Sequence, residues 1–237
     1  MERSDVVVRA SGNPEAATLA RLFAGRFSCR GFLPRAVERA TIVKIVEIAQ
    51  LTPSWCNSQA WQLTVTSGEA TERFRSALYE HAIQSRGEDF DFPPPERYEG
   101  VYLERRRACG WALYESVGVE RGDRKASVRQ RLENFRLFGA PHVAIVTTPR
   151  DLGVYGAIDC GAFIMAFTLA AQSFGVATIA QAAIAAKGPF VREYFAIPDD
   201  RAILCGISFG YADDAHPANA FRTQREDADR VVEWMDA

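Results

Sequence analysis

One stretch of this sequence is apolar over nearly the length of a membrane-spanning helix. From Val154 to Ala171 a single charged residue, Asp159, interrupts the apolar run. A helix that is apolar on nearly all sides must be covered all round, by lipid, by a protein core or by a large dimer interface. Because the charge lies inside the stretch and the rest of the chain has a globular composition, we expect a core or interface helix and no membrane span.

The composition is that of one globular domain. The 237 residues are 48% hydrophobic and 24% charged, which is enough for one substantial core. The net charge of -2 gives no general attraction to nucleic acid or anionic membranes. Asp5 and Arg9 argue against a secretory signal. The five cysteines are odd in number and widely separated, so a reduced, cytoplasmic compartment is expected.

Apolar spacing and helix caps divide the chain into helices and strands. Asn13 is the predicted cap of a helix that begins at Pro14 and runs to about Arg26. The sequence predicts further helices near 39–51, 70–83, 152–174 and after Gly188, with helical segments within 96–138. It predicts strands at 61–66, 141–147 and 202–209. No repeat or low-complexity linker divides these elements.

Arg26, Ser28 and Arg30 alternate along an extended segment near the start of the chain. Alternate side chains of a strand project from one face, so these three offer two guanidinium groups and a hydroxyl to a single anion. A phosphate monoester has that shape and charge. For the triplet alone, the competing interpretation is a solvated basic surface strand.

A short polar loop follows the second predicted helix, which Pro53 stops. Its amides and hydroxyls carry no net charge and come from Ser54, Asn57, Ser58 and Gln59. Such groups suit hydrogen bonds to the carbonyl and imide edge of a flavin ring. For Asn57 the alternative is an ordinary turn residue.

Other chemistries find little support in the sequence. Neither the Gly-x-x-x-x-Gly-Lys-Ser/Thr phosphate loop nor the Gly-x-Gly-x-x-Gly fingerprint occurs. His81, His142 and His216 have no metal-ligand spacing, and His142, at a strand start, is interpreted as structural. We expect neither a metal site nor a serine hydrolase.

Together these features resemble the nitroreductase family of FMN-dependent oxidoreductases. The first matching segments are Arg-x-Ser-x-Arg-x-Phe from Arg26 and Pro-Ser-x-x-Asn-x-Gln-x-Trp from Pro53. The C-terminal half matches at 161–175, 178–183 and 209–213, and at Pro-x-Asn-x-Phe-Arg-x-x-Arg from Pro217. The resemblance implies a single α+β domain over 1–237, with a mostly antiparallel central sheet flanked by helices in an intertwined homodimer. The least matched part, about 85–137, is expected to be an insertion over the active site.

The resemblance also implies which residues hold FMN. Arg26 and Ser28 would bind its phosphate and ribityl chain, with Arg222 and Arg225 closing on the phosphate from the other end of the sequence. Arg30 is the expected catalytic residue, because a fixed positive charge at the N1 and C2 carbonyl edge stabilises the anionic reduced flavin. Phe27 and Cys29 lie between these residues and are included in the cofactor site.

The remaining implied contacts come from two other segments. Gln181 and the backbone of Ala182 and Ala183 would approach flavin N5, although the two alanines could equally be packed helix residues. Pro53, Ser54 and Asn57 would contact the flavin of the partner subunit, and Trp55 and Cys56 would line the substrate pocket. Trp55 and Ala60 depart from the family's pattern, so the resemblance does not fix the substrate range.

The implied reaction is the two-electron reduction of a nitroaromatic compound by NADH or NADPH, in two half-reactions at one flavin. Both the nicotinamide and a small planar aromatic acceptor can stack on the ring. The alternatives are reductive dehalogenation, quinone reduction or flavin fragmentation on the same fold, or a flavin-binding protein without catalysis. Nucleic acid and membranes are not expected as partners.

Overall fold

The computed structural model of the chain, described at residues 5, 6, 9, 12–85 and 87–236, is built on one four-stranded sheet. All three strand pairs are antiparallel, in the order β1-β2-β4-β3. The strands are β1 (Gln62–Ser67), β2 (His142–Pro149), β3 (Ala177–Gln181) and β4 (Arg201–Gly210).

Eight helices lie around this sheet within the described residues. They are α1 (Pro14–Gly25), α2 (Arg39–Ala49), α3 (Glu69–Gln84), α4 (Gly100–Ser116), α5 (Arg124–Leu132), α6 (Gly153–Ser173), α7 (Ala182–Ala185) and α8 (Gly188–Phe195). The predicted cap of α1 is confirmed, because the Asn13 side chain accepts hydrogen bonds from the backbone of Glu15 and Ala16. The α+β class and the mostly antiparallel sheet are confirmed as well.

Strand β2 is covered on both of its faces. Val143 and Ile145 belong to one core cluster, whereas Ala144 and Val146 belong to the other. Successive strand residues point to opposite faces, so this alternation divides a continuous apolar run between two cores. The sheet is therefore a central layer with helices on either side.

The apolar stretch from Val154 to Ala171 lies within helix α6. It packs against α1, α2, β2 and β3, and Phe163 and Phe167 are fully buried in the second core cluster. By length and composition alone the stretch Arg150–Ser173 would qualify as a membrane span, with 44% of its apolar window buried. One side of the helix packs as a core helix does. Its other large apolar side chains, among them Val154, Tyr155, Ile158 and Met165, are exposed.

Strand β3 was not predicted. It pairs only with β4 on one side, and on its other side Ser28 forms a single parallel bridge to Thr178. The Cys29 backbone N–H donates to the Thr178 carbonyl at 3.0 Å. The segment that carries the predicted arginines is thereby held against the sheet edge.

The poorly matched segment is anchored to the sheet where it begins. The Asp91 carboxylate accepts hydrogen bonds from Arg192 and from the Ile203 backbone N–H, each at 2.7 Å, and pairs with Arg150. Beyond this anchor, the 17 residues of α4 include none that is buried. This part of the insertion therefore lies on the surface of the fold.

Candidate active site

Residues from the two ends of the chain meet around a small cavity of about 110 Å³. Four of its lining residues are arginines, two carry hydroxyl groups, and none of the described lining residues is acidic. The full lining is Arg26, Phe27, Ser28, Arg30, Cys109, Phe221, Arg222, Thr223 and Arg225. Guanidinium forks and hydroxyls without a competing carboxylate are the donor set that a phosphate dianion requires. We refer to this space as the arginine cavity.

A buried asparagine joins the two ends of the chain beside this cavity. The Asn219 side chain accepts a hydrogen bond from the Arg30 backbone N–H at 2.7 Å and donates to the Gly31 carbonyl at 2.8 Å. It also donates to the Asp213 carbonyl at 2.9 Å. Because its four hydrogen-bonding positions are largely used within the protein, Asn219 fixes the backbone around which the arginines are arranged.

Arg26 and Arg225 repel each other in the wall of the arginine cavity, and burial weakens the hydration of the other guanidinium groups. Burial lowers the pKa of Arg26, and the nearby positive charge of Arg225 lowers it further. Burial also lowers the pKa of Arg30 and of Arg222. An anion placed among these groups would reverse both effects, since it favours the charged form of each guanidinium. The electrostatics therefore agree with the donor set.

Arg30 lies between the arginine cavity and a second, larger one. The larger cavity has a volume of about 580 Å³ and is also lined by residues 117–119 and by α5. The Arg30 guanidinium lies 6.0 Å from the ring centres of Phe138 and Phe221 and donates to the Ser28 carbonyl at 3.2 Å. Part of the insertion thus borders the space next to Arg30.

The predicted loop residues Pro53, Ser54, Trp55, Cys56 and Asn57 line neither cavity within one chain. Asn57 is exposed, and the Trp55 ring centre lies 4.7 Å from that of Tyr155 of α6, with the two rings tilted by 49°. The loop therefore takes no part in either cavity of its own chain.

The third predicted segment lies where β3 passes into α7. The Gln181 side chain is buried, donates to the Asn134 carbonyl at 2.8 Å and accepts from the Ser208 hydroxyl at 2.5 Å. It is therefore occupied within the protein. Ala182 is exposed and Ala183 half-buried, and as the first residues of a helix their N–H groups lack intrahelical acceptors. Only the backbone of this junction is open to a ligand.

Cys29 differs from its neighbours in the predicted cofactor site. Its thiol is fully buried in the core and donates to the Gly31 carbonyl at 3.1 Å. Arg26, Ser28 and Arg30 line the arginine cavity, together with the partly buried Phe27, while Cys29 faces the core as alternation along an extended segment predicts. Cys29 therefore has a packing role in this segment.

Several residues of the site could not be selected from the sequence. Cys109 belongs to the unmatched segment, and Thr223 lies between two residues of a matched motif without being part of it. A Gly-x-Ser-x-Gly sequence does occur at 206–210, but its Ser208 is buried within β4 and donates to Gln181. It is not an exposed nucleophile at a strand-to-helix turn.

Comparison with known proteins places the chain in a family. The sequence model of the nitroreductase family matches residues 23–211 of this chain. A 4-nitrobenzoate reductase of Nocardioides sp. (strain LMS-CY) is 36% identical over 215 residues, covering 89% of this chain and 87% of that protein. Nitroreductase NfnB of Mycolicibacterium smegmatis is 35% identical over 206 residues, covering 86% of this chain and 87% of that protein.

Solved structures agree with the sequence relatives. The FMN-dependent nitroreductase NfnB from Mycobacterium smegmatis, in complex with NADPH, superposes with a TM-score of 0.88 at 33% identity, covering 93% of this chain and 99% of that one. The FMN- and NADPH-dependent NfnB from Sphigopyxis sp. strain HMH gives 0.86 at 31% identity, covering 92% and 99%. On the match of sequence, fold and motif order, the chain belongs to the nitroreductase family.

Proposed function

We propose that this protein is an FMN-dependent oxidoreductase that uses NADH or NADPH to reduce nitroaromatic compounds. The arginine cavity is the observation that carries the proposal, because four guanidinium groups converge there and none of the lining residues that the structure describes is acidic. The relatives described as 4-nitrobenzoate reductase and as FMN- and NADPH-dependent nitroreductase supply the reaction class.

Arg26, Ser28, Arg222 and Arg225 would hold the FMN phosphate. The Arg225 guanidinium already donates to the Thr223 hydroxyl at 2.8 Å, which orients both groups in the cavity wall. Arg222 lies over the Phe27 ring at 4.0 Å. Since these contacts preorganise the guanidinium groups, less side-chain freedom is lost when the phosphate binds.

Arg30 would act at the other end of the cofactor. When bound, FMN would supply the hydride-transfer chemistry between the nicotinamide and the acceptor. The Arg30 charge, held beside the cavity by its backbone bond to Asn219, would stabilise the negative charge that reduction places on the ring. The open backbone at Ala182 and Ala183 would donate to the opposite edge of the ring.

We further propose that the site is completed by a second copy of the chain. The loop residues Pro53 to Asn57 are presented at the surface, away from both cavities of their own chain. Helices α1 and α2 pack against α6. These three helices and the segment that follows α2 expose large apolar side chains, namely Leu19, Phe23, Ile48, Leu51, Trp55, Val154, Tyr155, Ile158 and Met165. An apolar surface of this extent is typical of a protein–protein interface. We call it the α6 face.

A reducing compartment fits the cysteines. All five are free, and three of them are buried within the fold. Free thiols are usual in the cytosol, where cysteines are kept reduced and disulfides are rare. We therefore propose a cytoplasmic enzyme whose acceptor is a small planar aromatic compound.

The first experiment measures cofactor retention. The purified protein should be yellow, with about one FMN per chain. Arg225→Ala should weaken FMN binding by roughly 1.5 to 3 kcal/mol, about tenfold to a hundredfold in Kd, because a charged hydrogen bond to phosphate is lost. Arg73→Ala is the matched control, since Arg73 is an exposed arginine of α3 that pairs with Glu69. Colourless protein that ignores added FMN would refute the proposal.

A second experiment separates the reaction classes. NADPH oxidation is followed with no acceptor, with 4-nitrobenzoate, with a quinone and with a halogenated phenol. Turnover that depends on the nitroarene supports the proposed function. Faster turnover with the quinone or the halogenated phenol would assign another reaction of the same fold, and flavin binding without any acceptor-dependent turnover would identify a flavin-binding protein.

A further inference from the structure

Asp159 is a buried carboxylate in the most apolar helix of the protein. Its residue is 8% exposed, and among the described residues no cationic side chain forms an ion pair with it. A carboxylate that is buried without a cation must be compensated by hydrogen-bond donors. Those donors identify what Asp159 does.

Within the part of the chain that the structure describes, the hydrogen-bond donors to Asp159 come from one loop. The Trp55 backbone N–H lies 3.1 Å from each carboxylate oxygen, and the Ser58 hydroxyl donates to Oδ2 at 3.2 Å. Trp55 and Ser58 bracket Cys56 and Asn57, so the carboxylate holds the loop on both sides of these two residues. The contact joins positions that are 104 and 101 residues apart in the chain.

The loop needs such an anchor because its backbone is in an unfavourable conformation. Cys56, Asn57 and Gln59 have φ values of 51°, 56° and 47°, a left-handed region that side chains other than glycine seldom adopt. The Ser54 hydroxyl accepts from the Gln59 backbone N–H at 2.9 Å and closes the loop. Without the bonds to α6, the chain would be free to relax toward ordinary φ values, and Asn57 would point elsewhere.

We infer that Asp159 is a positioning residue, which fixes the loop 54–58 on α6 so that Asn57 presents its side-chain amide to the flavin of the partner subunit. The inference rests on the proposed function for the identity of the ligand. It rests on the contacts of Asp159 for the positioning. Because the anchor lies in α6, the helix that carries much of the proposed dimer face, the loop would keep its place relative to the partner.

The test compares Asp159→Asn with two other variants. Asparagine keeps the shape but removes the charge and one of the two acceptor oxygens, so the Trp55 N–H and the Ser58 hydroxyl are left with a single neutral acceptor in place of a carboxylate. Ser58→Ala removes one bond and leaves the charge. Thr168→Val is the control, since Thr168 is a buried residue of α6 whose hydroxyl bonds only within that helix, to Met165. FMN affinity, the visible circular dichroism of bound flavin, and hydrogen–deuterium exchange of the Trp55 amide are measured for each.

We expect Asp159→Asn to weaken FMN binding at least severalfold, to change the flavin dichroism and to speed exchange at Trp55. Ser58→Ala should do the same to a smaller extent, and the double variant should add little to Asp159→Asn because both act on one anchor. Thr168→Val should change none of the three. Wild-type affinity and dichroism in folded Asp159→Asn would show that Asp159 is merely structural.

The two proposals can fail separately. If the wild type binds no FMN, the proposed function is refuted, and exchange at the Trp55 amide still decides whether Asp159 holds the loop. Unchanged exchange in Asp159→Asn would overturn the positioning role in that case too. If Asp159→Asn does not fold, Ser58→Ala decides by the same three measurements.

Discussion

The role of Arg30 depends on its charge more than on its shape. Its backbone is fixed by Asn219, and its side chain lies between two aromatic rings at the junction of both cavities. Burial lowers its pKa, yet a guanidinium remains charged at any physiological pH. A residue in this position offers a fixed positive charge in surroundings that screen it poorly.

We predict that Arg30→Gln lowers the two-electron potential of bound FMN. Glutamine keeps hydrogen-bonding capacity but removes the charge that favours the reduced anion. The shift should be at least roughly 30 mV, which corresponds to about 1.4 kcal/mol. It is measured by equilibrating the bound flavin with a reference dye. An unchanged potential at full FMN occupancy would make Arg30 a structural residue.

His142 has the structural role that its position in the sequence predicts, and it makes the stability of the fold depend on pH. Its Nε2 accepts from the Val37 backbone N–H at 2.9 Å, so its Nδ1 carries the proton donated to the Thr66 carbonyl at 3.1 Å. Both nitrogens are therefore used by the neutral ring. Burial lowers the pKa of His142 below its ordinary value of 6.5.

The free energy of unfolding should therefore decrease as the pH falls below 6.5. The unfolded chain takes up a proton at its ordinary pKa, whereas the folded chain resists protonation until the pH reaches the lowered pKa. The contribution of His142 is complete above 6.5 and is lost between these two values. The free energy of unfolding of the wild type and of His142→Gln is measured by urea denaturation at about six pH values between pH 5 and 7.5. Equal slopes in both proteins would contradict the assignment.

At the scale of elements, Asp91 joins three parts of the fold. One carboxylate binds Arg192 of α8 and the backbone of β4, and also Arg150 at the end of β2. Asp91→Asn should lower the free energy of unfolding by about 1.5 to 3 kcal/mol, because charged hydrogen bonds to partly buried groups are lost. Chemical denaturation provides the value. Glu69→Gln, which removes an exposed pair on α3, should leave stability nearly unchanged, and an equal loss in both variants would contradict the role of Asp91.

The elements also show how far sequence patterns reach. Helices α1, α2, α3 and α6 follow from apolar spacing and from caps such as Asn13, which act within a few residues of each other. Strand β3 could not be predicted, because its sequence Ala177–Gln181 has no strict alternation and its conformation depends on pairing with β4. The left-handed residues of the loop 54–58 depend in turn on Asp159, a contact that no local pattern reveals.

The candidate site contains residues that a local sequence pattern predicts and residues that only distant contacts bring together. Arg26, Ser28 and Arg30 can be read from strand alternation, whereas Arg222 and Arg225 are linked to them only by the resemblance to a family. The physical link is Asn219, whose bond to Arg30 spans 189 residues. No spacing rule relates groups so far apart, since their meeting depends on the complete fold.

For the whole molecule we predict a homodimer that holds its flavin only when assembled. The α6 face is apolar, and Ile158 of α6 is 59% exposed on it. Burial of this face against a second copy would remove its apolar surface from water. Light scattering should give the mass of two chains. Ile158→Lys should yield monomers that release FMN, whereas Val128→Lys, an equally drastic change on α5, should not. A stable monomer loaded with flavin would contradict the prediction.

The distribution of the thiols has a practical consequence. Burial raises the pKa of Cys29 and Cys160 to about 11 and that of Cys205 to about 12, so these three are unreactive toward labelling reagents in the folded chain. Cys56 and Cys109 are exposed, one on the loop proposed to meet the partner and the other in the wall of the arginine cavity. The natural sequence therefore provides two attachment points for fluorophores, one that would report assembly and one that would report cofactor loading, without any engineered cysteine.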